Sequence, residues 1–426
     1  MAGALERYVE IVVSFSGRLK DLVPVLKDFS SLLQSNLDNL PAVFEALDPT
    51  THSLGWLFAA CAGISCDIPS PSLAQMCQFL RLCPPEAAQA APDIFVQVSR
   101  QVKERAIRTG MPKTAILPLR SALQKMQPSP EDLTPLHGDL FQVCILAKCY
   151  HAAVEILNLP ITNVAPDLTG STPRDFLLYA YYGGLIRIGR KQYGDAVNLL
   201  LLAVTAPSSV ASAISIAAYQ KYVLLSLMHG AADAALPRST PAPVSRQIKS
   251  ECTPYQEFLQ AYNRRSVSEL ESVAQSHAHV FQGHGNLGLV NLCVESLRFK
   301  NAGRLTHTHL TMSLQGIADA CNLASRAAAE SQILHMVEKG DIFASINQRD
   351  GMVSFNEDPE DYKSSSLTDA LAQHIEGSIA LQSKLKESND IICGDRTYLM
   401  RVALKDKGMS RHTADSDEFP VAPMYN

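Results

Sequence analysis

Apolar residues recur at three- and four-residue spacing through the first half of the chain, and strand-like alternation is absent there. Leu22, Val25, Leu26, Phe29, Leu32 and Leu33 form one such run. Proline and glycine punctuate the pattern at short intervals: Pro41, Pro49, Pro69 and Pro71, Pro84-Pro85, Pro92, Gly110 with Pro112, Pro128 and Pro130. Short helices separated by brief breaks predict stacked helical hairpins, each burying its apolar face on its neighbours.

One hairpin can be read in detail. Gly184, Ala196, Leu200 and Ala203, closed by Pro207, nearly keep the tetratricopeptide spacing. The small residues Gly184, Ala196 and Ala203 let two antiparallel helices approach closely, and Tyr181, Tyr182 and Tyr193 fill the space around them. The segment from Ala196 to Gln220 carries no charge and is long enough to span a bilayer. Pro207-Ser208-Ser209 interrupts it, and Asn198, Ser212 and Ser215 dilute it. Two buried soluble helices with a turn between them are expected, not a membrane span.

With 426 residues the chain is too long for one compact core. Hydrophobic residues at 46% and charged residues at 19% make it globular, not disordered. A formal net charge of −5 gives no broad attraction to nucleic acid or acidic membranes. Met1 to Phe15 holds Glu6, Arg7 and Glu10 within its apolar stretch, which does not read as a signal peptide. Ten cysteines invite a disulfide or zinc reading, but none stand as C-x-x-C. Free thiols in a reducing cytosol or nucleus are expected.

After a polar, proline-bearing break from Leu236 to Ser245, helices are expected to resume near Ser250. Leu314, Ile317, Ala318 and Cys321 mark a short helix capped by Ser313. Ile333, Leu334 and Val337 mark a second, which stops at Gly340. Ile342, Ala344 and Ile346 then alternate with Phe343, Ser345 and Asn347. Asp350-Gly351 is the strongest two-residue hairpin signal in the chain, and Met352 to Phe355 is the return strand. Helix, helix, strand, turn, strand is a winged helix. Beyond Pro359, Ser366 with Asp369 resembles a capping box, and Leu367, Leu371, Ile375 and Ile379 make one apolar stripe on a helix to about Lys386.

The winged-helix region resembles the PCI domain, a module shared by the proteasome lid, the COP nine signalosome and a translation initiation factor complex. Arg304-Leu305-Thr306, Leu310 to Gln315 and Met336 to Ile342 carry the likeness. The run Ile346 to Phe355 is more specific and resembles the subunit-three family of the signalosome. His52 to Gly55, Tyr181 to Gly184 and Asn286 to Val290 support it upstream. Gly316 departs from the family, which usually has an acidic residue there; glycine lowers helix propensity by about 1 kcal/mol.

The resemblance implies a mainly α fold: an N-terminal TPR-like helical-repeat solenoid, then a PCI domain of helical bundle plus winged helix, then a C-terminal helix. The expected boundaries are repeats over 1–190, a PCI domain over 191–362 with its winged helix at about 304–356, a bundle helix over 363–389 and a disordered tail over 390–426. It implies a non-catalytic scaffold, cytoplasmic and nuclear, within an assembly that removes a ubiquitin-like modifier from cullin-RING ubiquitin ligases through a zinc isopeptidase on another subunit. The same architecture would serve in the proteasome lid or the initiation factor. Partners are other subunits, met at winged-helix edges (Ile342, Ser345, Asn347 and Val353) and through a helical bundle (Leu367, Leu371, Ile375 and Ile379), with cullin-RING ligases engaged indirectly.

No catalytic, cofactor or metal residue is assigned. His307-Thr308-His309 matches the H-x-H of the isopeptidase family, but Ala320 stands where its zinc-binding Asp belongs and Asp319 is one residue off, about 100° round a helix. Gly283-His284-Gly285-Asn286-Leu287-Gly288 satisfies G-x-G-x-x-G only literally, since the preceding segment reads helical and no acid follows at the required distance. DNA binding is not expected of the winged helix: Asn301 to Tyr362 holds four Lys/Arg against nine Asp/Glu.

Overall fold

The computed structural model describes residues 2–15, 17–65, 71–159, 161–229, 236–357 and 365–406. Among the described residues helix follows helix from Ala2 to Thr308, and the first strand starts at Thr311. Pro41, Pro85 and Pro92 each stand in the first turn of a helix. A missing N–H is harmless there, because that donor has no partner within the helix in any case.

Helices α1 (Pro92–Arg108), α2 (Leu136–Leu146) and α3 (Pro173–Gly189) stack side by side. Charge ties them together: the Arg100 guanidinium on α1 reaches Asp139 on α2 at 3.0 Å and Asp175 on α3 at 2.7 Å, and Lys103 reaches Asp139 at 2.6 Å. Both carboxylates are buried, so the ion pairs are what make their burial tolerable. α3 packs on α4 (Tyr193–Thr205), as the tetratricopeptide-like spacing requires. A Cβ at Gly184 would lie 2.9 Å from the Leu200 side chain, so only glycine permits this approach.

The uncharged run divides as expected into α4 and α5 (Ala213–His229), with Pro207 in the connection. α5 buries twelve residues, Ser215 to Leu227 with the exception of Ala217. Among the described residues no helix is long and apolar enough to cross a membrane. Helix resumes at Ala242, earlier than the expected Ser250. Pro241 and Pro243 do not delay it, because they occupy the cap and the first turn.

Residues 1–355 form one compact unit. It holds two apolar cores, and helix α6 (Leu287–Thr308) serves both. Val290, Cys293 and Leu297 face the repeats, while Ala302 faces the winged helix. The winged helix comprises β1 (Thr311–Ser313), α7 (Leu314–Ala320), α8 (Arg326–Lys339), β2 (Phe343–Asn347) and β3 (Met352–Asn356). Its sheet order is β1-β3-β2, with Met312 opposite Val353 in the antiparallel β1–β3 pair. β1 was not read from sequence: three residues are too few to show alternation.

The second unit, 356–426, contains α9 (Ser365–Gly394) and α10 (Arg396–Asp406), which pack on each other. Helix thus continues past residue 389, where a tail was expected. The apolar residues Ile391 and Ile392 extend the periodic pattern, and only a short break at Asp395 divides it from α10. Residues 407–426 lie outside the described residues. So does the side chain of Ser366, on which the expected capping box with Asp369 rests.

Candidate interaction surfaces

Two regions hold the residues expected to meet partners. In the winged helix, local chemistry fixes the frame. Ser313 caps α7 by accepting from the Gly316 N–H at 3.1 Å, and Ser325 caps α8 by accepting from Ala328. Gly340 closes α8 at φ 75°, with the Asp341 N–H donating back to the Met336 carbonyl. The wing turn differs from the expected two-residue form. It runs through Gln348, Arg349, Asp350 and Gly351, and only Gly351 has positive φ. The Asn347 side chain sets that geometry: its Oδ1 accepts from the Arg349 N–H and its Nδ2 donates to Asp350 at 2.7 Å.

The four wing residues divide into two pairs. Val353 is fully buried on the central strand and Ile342 nearly so; both join Leu314, Ile317 and Ile333 in the module's own core. This corrects their reading as contact residues: β3 is flanked on both sides, and the alternation that marked the strand was marking the core face. Ser345 and Asn347 are exposed on β2, an outer strand of the sheet. Between β2 and α8 lies a groove lined by Leu334, Val337, Ala344, Ser345 and Ile346. Leu334, expected to mark the packed face of its helix, is 49% exposed there.

On α9, Leu367, Leu371, Ile375 and Ile379 are all exposed, from 36% to 58%. The sequence reading stopped the stripe too early. Leu381, Leu385 and Ile392 are exposed as well, and on a straight helix they fall within about 40° of Leu367. Tyr398, Leu399, Met400 and Val402 continue exposed apolar surface onto α10.

The motifs weighed for chemistry lie elsewhere. His307 is in the last turn of α6, while His309 is extended just beyond it. Asp319 accepts from Gln315 at 3.0 Å. Among the described residues no group of three or more His, Cys, Asp or Glu is placed to hold a metal ion. The glycine-rich segment forms an interhelical connection with Gly285 at φ 66°. Its role is packing: buried Asn286 accepts from the buried Lys221 ammonium at 2.7 Å and donates to the Tyr255 hydroxyl at 2.7 Å. Desolvation lowers the Lys221 pKa. Lys221, the first charge after the long uncharged run, was the sequence signal for this network. Burial pushes the Cys83, Cys144 and Cys293 thiols up to about 12, which suppresses the nucleophilic thiolate. In α8, Arg326 donates to the Gln348 carbonyl and Lys339 sits over the Phe299 ring, so both cations of the would-be recognition helix have partners in the chain.

Stacked helical hairpins leading into a winged helix with an outer strand at β2 define the class: a helical-repeat protein with a PCI domain. The PCI domain description matches residues 267–357, and the description "COP9 signalosome complex subunit 3, N-terminal helical repeats" matches residues 16–244. A COP9 signalosome complex subunit 3 of Dictyostelium discoideum is 35% identical over 388 residues, 90% of this chain and 92% of that protein. Its counterpart in Arabidopsis thaliana is 35% identical over 436 aligned positions, 99% of each chain. The chain belongs to the family of COP9 signalosome complex subunit 3.

Proposed function

We propose that the chain is a non-catalytic scaffold subunit of a COP9 signalosome, the assembly its relatives are named for. In this reading the assembly removes a ubiquitin-like modifier from cullin-RING ubiquitin ligases, another subunit carries the zinc isopeptidase, and the protein works in cytoplasm and nucleus. The observation that carries the reading is the exposed apolar face of α9. An amphipathic helix gains its stability in water from covering such a face. Helices of other subunits are the cover proposed here, with Leu367, Leu371, Ile375 and Ile379 in the seam. The outer edge of β2 is the second contact, with Ser345 and Asn347 beside unpaired backbone groups that a neighbouring strand can take up. Nucleic acid and membrane have no part in it.

Depletion of the protein should raise the modified fraction of cullins, and affinity purification should recover the other signalosome subunits. The isolated chain should leave a modified cullin intact. Cleavage by the purified chain with one bound zinc would contradict the reading, as would recovery of proteasome-lid partners alone.

A further inference from the structure

Several helices of this chain end in the same closure, with one residue in the left-handed conformation and the next N–H bonded back five residues. Glycine takes the left-handed position at Gly110, Gly285 and Gly340, and asparagine at Asn322, the residues that conformation favours. Two closures break the rule. After α2, Lys148 stands at φ 55°, its N–H donating to the Ile145 carbonyl and that of Cys149 to Cys144. After α3, Lys191 stands at φ 61°, with the Gln192 N–H donating to Arg187. A long side chain is strained there, and such strain persists where the side chain has a use. A cation near a helix C-terminus offsets the helix dipole, and Arg265 after the helix Thr253–Arg264 is likewise left-handed at φ 65°, but there the adjacent Arg264 already pairs with Glu269 at 3.6 Å.

The two exceptions are neighbours in the fold. Tyr150, two residues after Lys148, lies against Gly189, two residues before Lys191; a Cβ at Gly189 would be 3.0 Å from the Tyr150 ring. The Arg187 guanidinium binds the Leu157 carbonyl at 3.1 Å and the Asn158 side chain at 3.0 Å, holding the end of α3 against the segment that follows Lys148. Lys148, Arg190 and Lys191 are exposed, and among the described residues none of them is in an ion pair. Asp195 faces Arg187 at 3.5 Å. His151, three residues after Lys148, is exposed as well.

We propose that this end of the helical repeats, formed by Lys148, Arg190 and Lys191, docks an acidic segment of a partner protein. Charge complementarity selects the occupant: uncompensated cations held on rigid closures favour carboxylates and give an orientation to the approach. A single-stranded nucleic acid also wants aromatic platforms. Tyr150 is packed against Gly189 and Tyr193 is half-buried. This surface is separate from the wing edge and from α9.

The test is fluorescence anisotropy of the full chain with a labelled peptide of alternating Asp and Glu, at low and at physiological salt. Saturable binding that weakens with salt is expected. Lys148→Gly with Lys191→Gly should weaken it by about tenfold or more, while the melting temperature holds or rises because glycine accepts the left-handed conformation. Lys148→Arg with Lys191→Arg should retain binding. Unchanged affinity in the glycine variant overturns the proposal, as does a loss of binding accompanied by a fall in melting temperature. An RNA oligonucleotide of equal charge that binds more tightly than the peptide, and loses as much in the glycine variant, overturns the assignment to a protein partner.

Discussion

Helices α5 and α9 are both long and rich in aliphatic residues, and they end in opposite surroundings. α5 buries twelve of its 17 residues among the helices of the first unit. α9 has 30 residues and exposes every apolar one that the structure describes. The difference follows from the other residues of each helix. α5 is apolar or small on nearly all sides, and its one Lys finds Asn286 in the interior. α9 surrounds a single stripe with Asp, Glu, Lys, Gln and Ser. Apolar periodicity says that a face will be covered; the rest of the surface says whether the cover encloses the helix or comes from one side. The stability of the first unit should therefore be intrinsic, and that of α9 conditional on a partner.

The largest test of this contrast is a charge inside α5. Val223 is fully buried, and Val223→Asp should cost about 4 kcal/mol or more, seen as loss of the cooperative melt of the isolated chain. Acid should act on the same unit. His137 is fully buried and desolvation holds its imidazole pKa down to about 4. The unfolded chain takes up that proton near its ordinary value of about 6.5, so the stability is whole above that pH and declines as pH falls toward 4, by up to about 3 kcal/mol. Denaturation followed by circular dichroism across that window measures it, and His137→Phe should flatten the dependence.

A smaller effect of opposite sign is expected at Gly316, the third residue of α7. A glutamate there would complete a capping box with Ser313 and remove the glycine penalty, adding about 1 kcal/mol. The new Cβ meets the movable end of Met312 at 3.1 Å, which can yield. A fall in melting temperature for Gly316→Glu would mean that Met312 cannot give way. Ser345→Pro should change the isolated chain least, since it removes one backbone donor from an outer strand. Helical content should persist while recovery of partner subunits falls. Normal recovery would remove the wing edge from the account.

The fold was legible where residue chemistry is local. Pro207 divided the uncharged run, Gly184 announced a close approach, and Ser313 and Gly340 bounded the two winged-helix helices. What escaped depends on partners distant in sequence. Alternation at Ile342 and Val353 says that one face is buried, but not that the module buries it itself. β1 becomes a strand only because β3 lies beside it. A row of four-residue steps drifts by about 40° per step, so the row from Leu367 to Ile379 leaves the face to which Leu381, Leu385 and Ile392 return. Lys148 and Lys191 gave no signal at all, because left-handed backbone at lysine follows from the closure around it.

The central claim is that the stripe of α9 is covered by other subunits. Leu371→Asp together with Ile375→Asp places two charges in the middle of it. Both residues are more than half exposed, so the isolated variant should melt at the temperature of the unaltered chain. Recovery in the assembled complex should fail, because several kcal/mol of apolar burial exists only there. A large drop in the melting temperature of the isolated variant, or normal recovery of the complex, would contradict the claim.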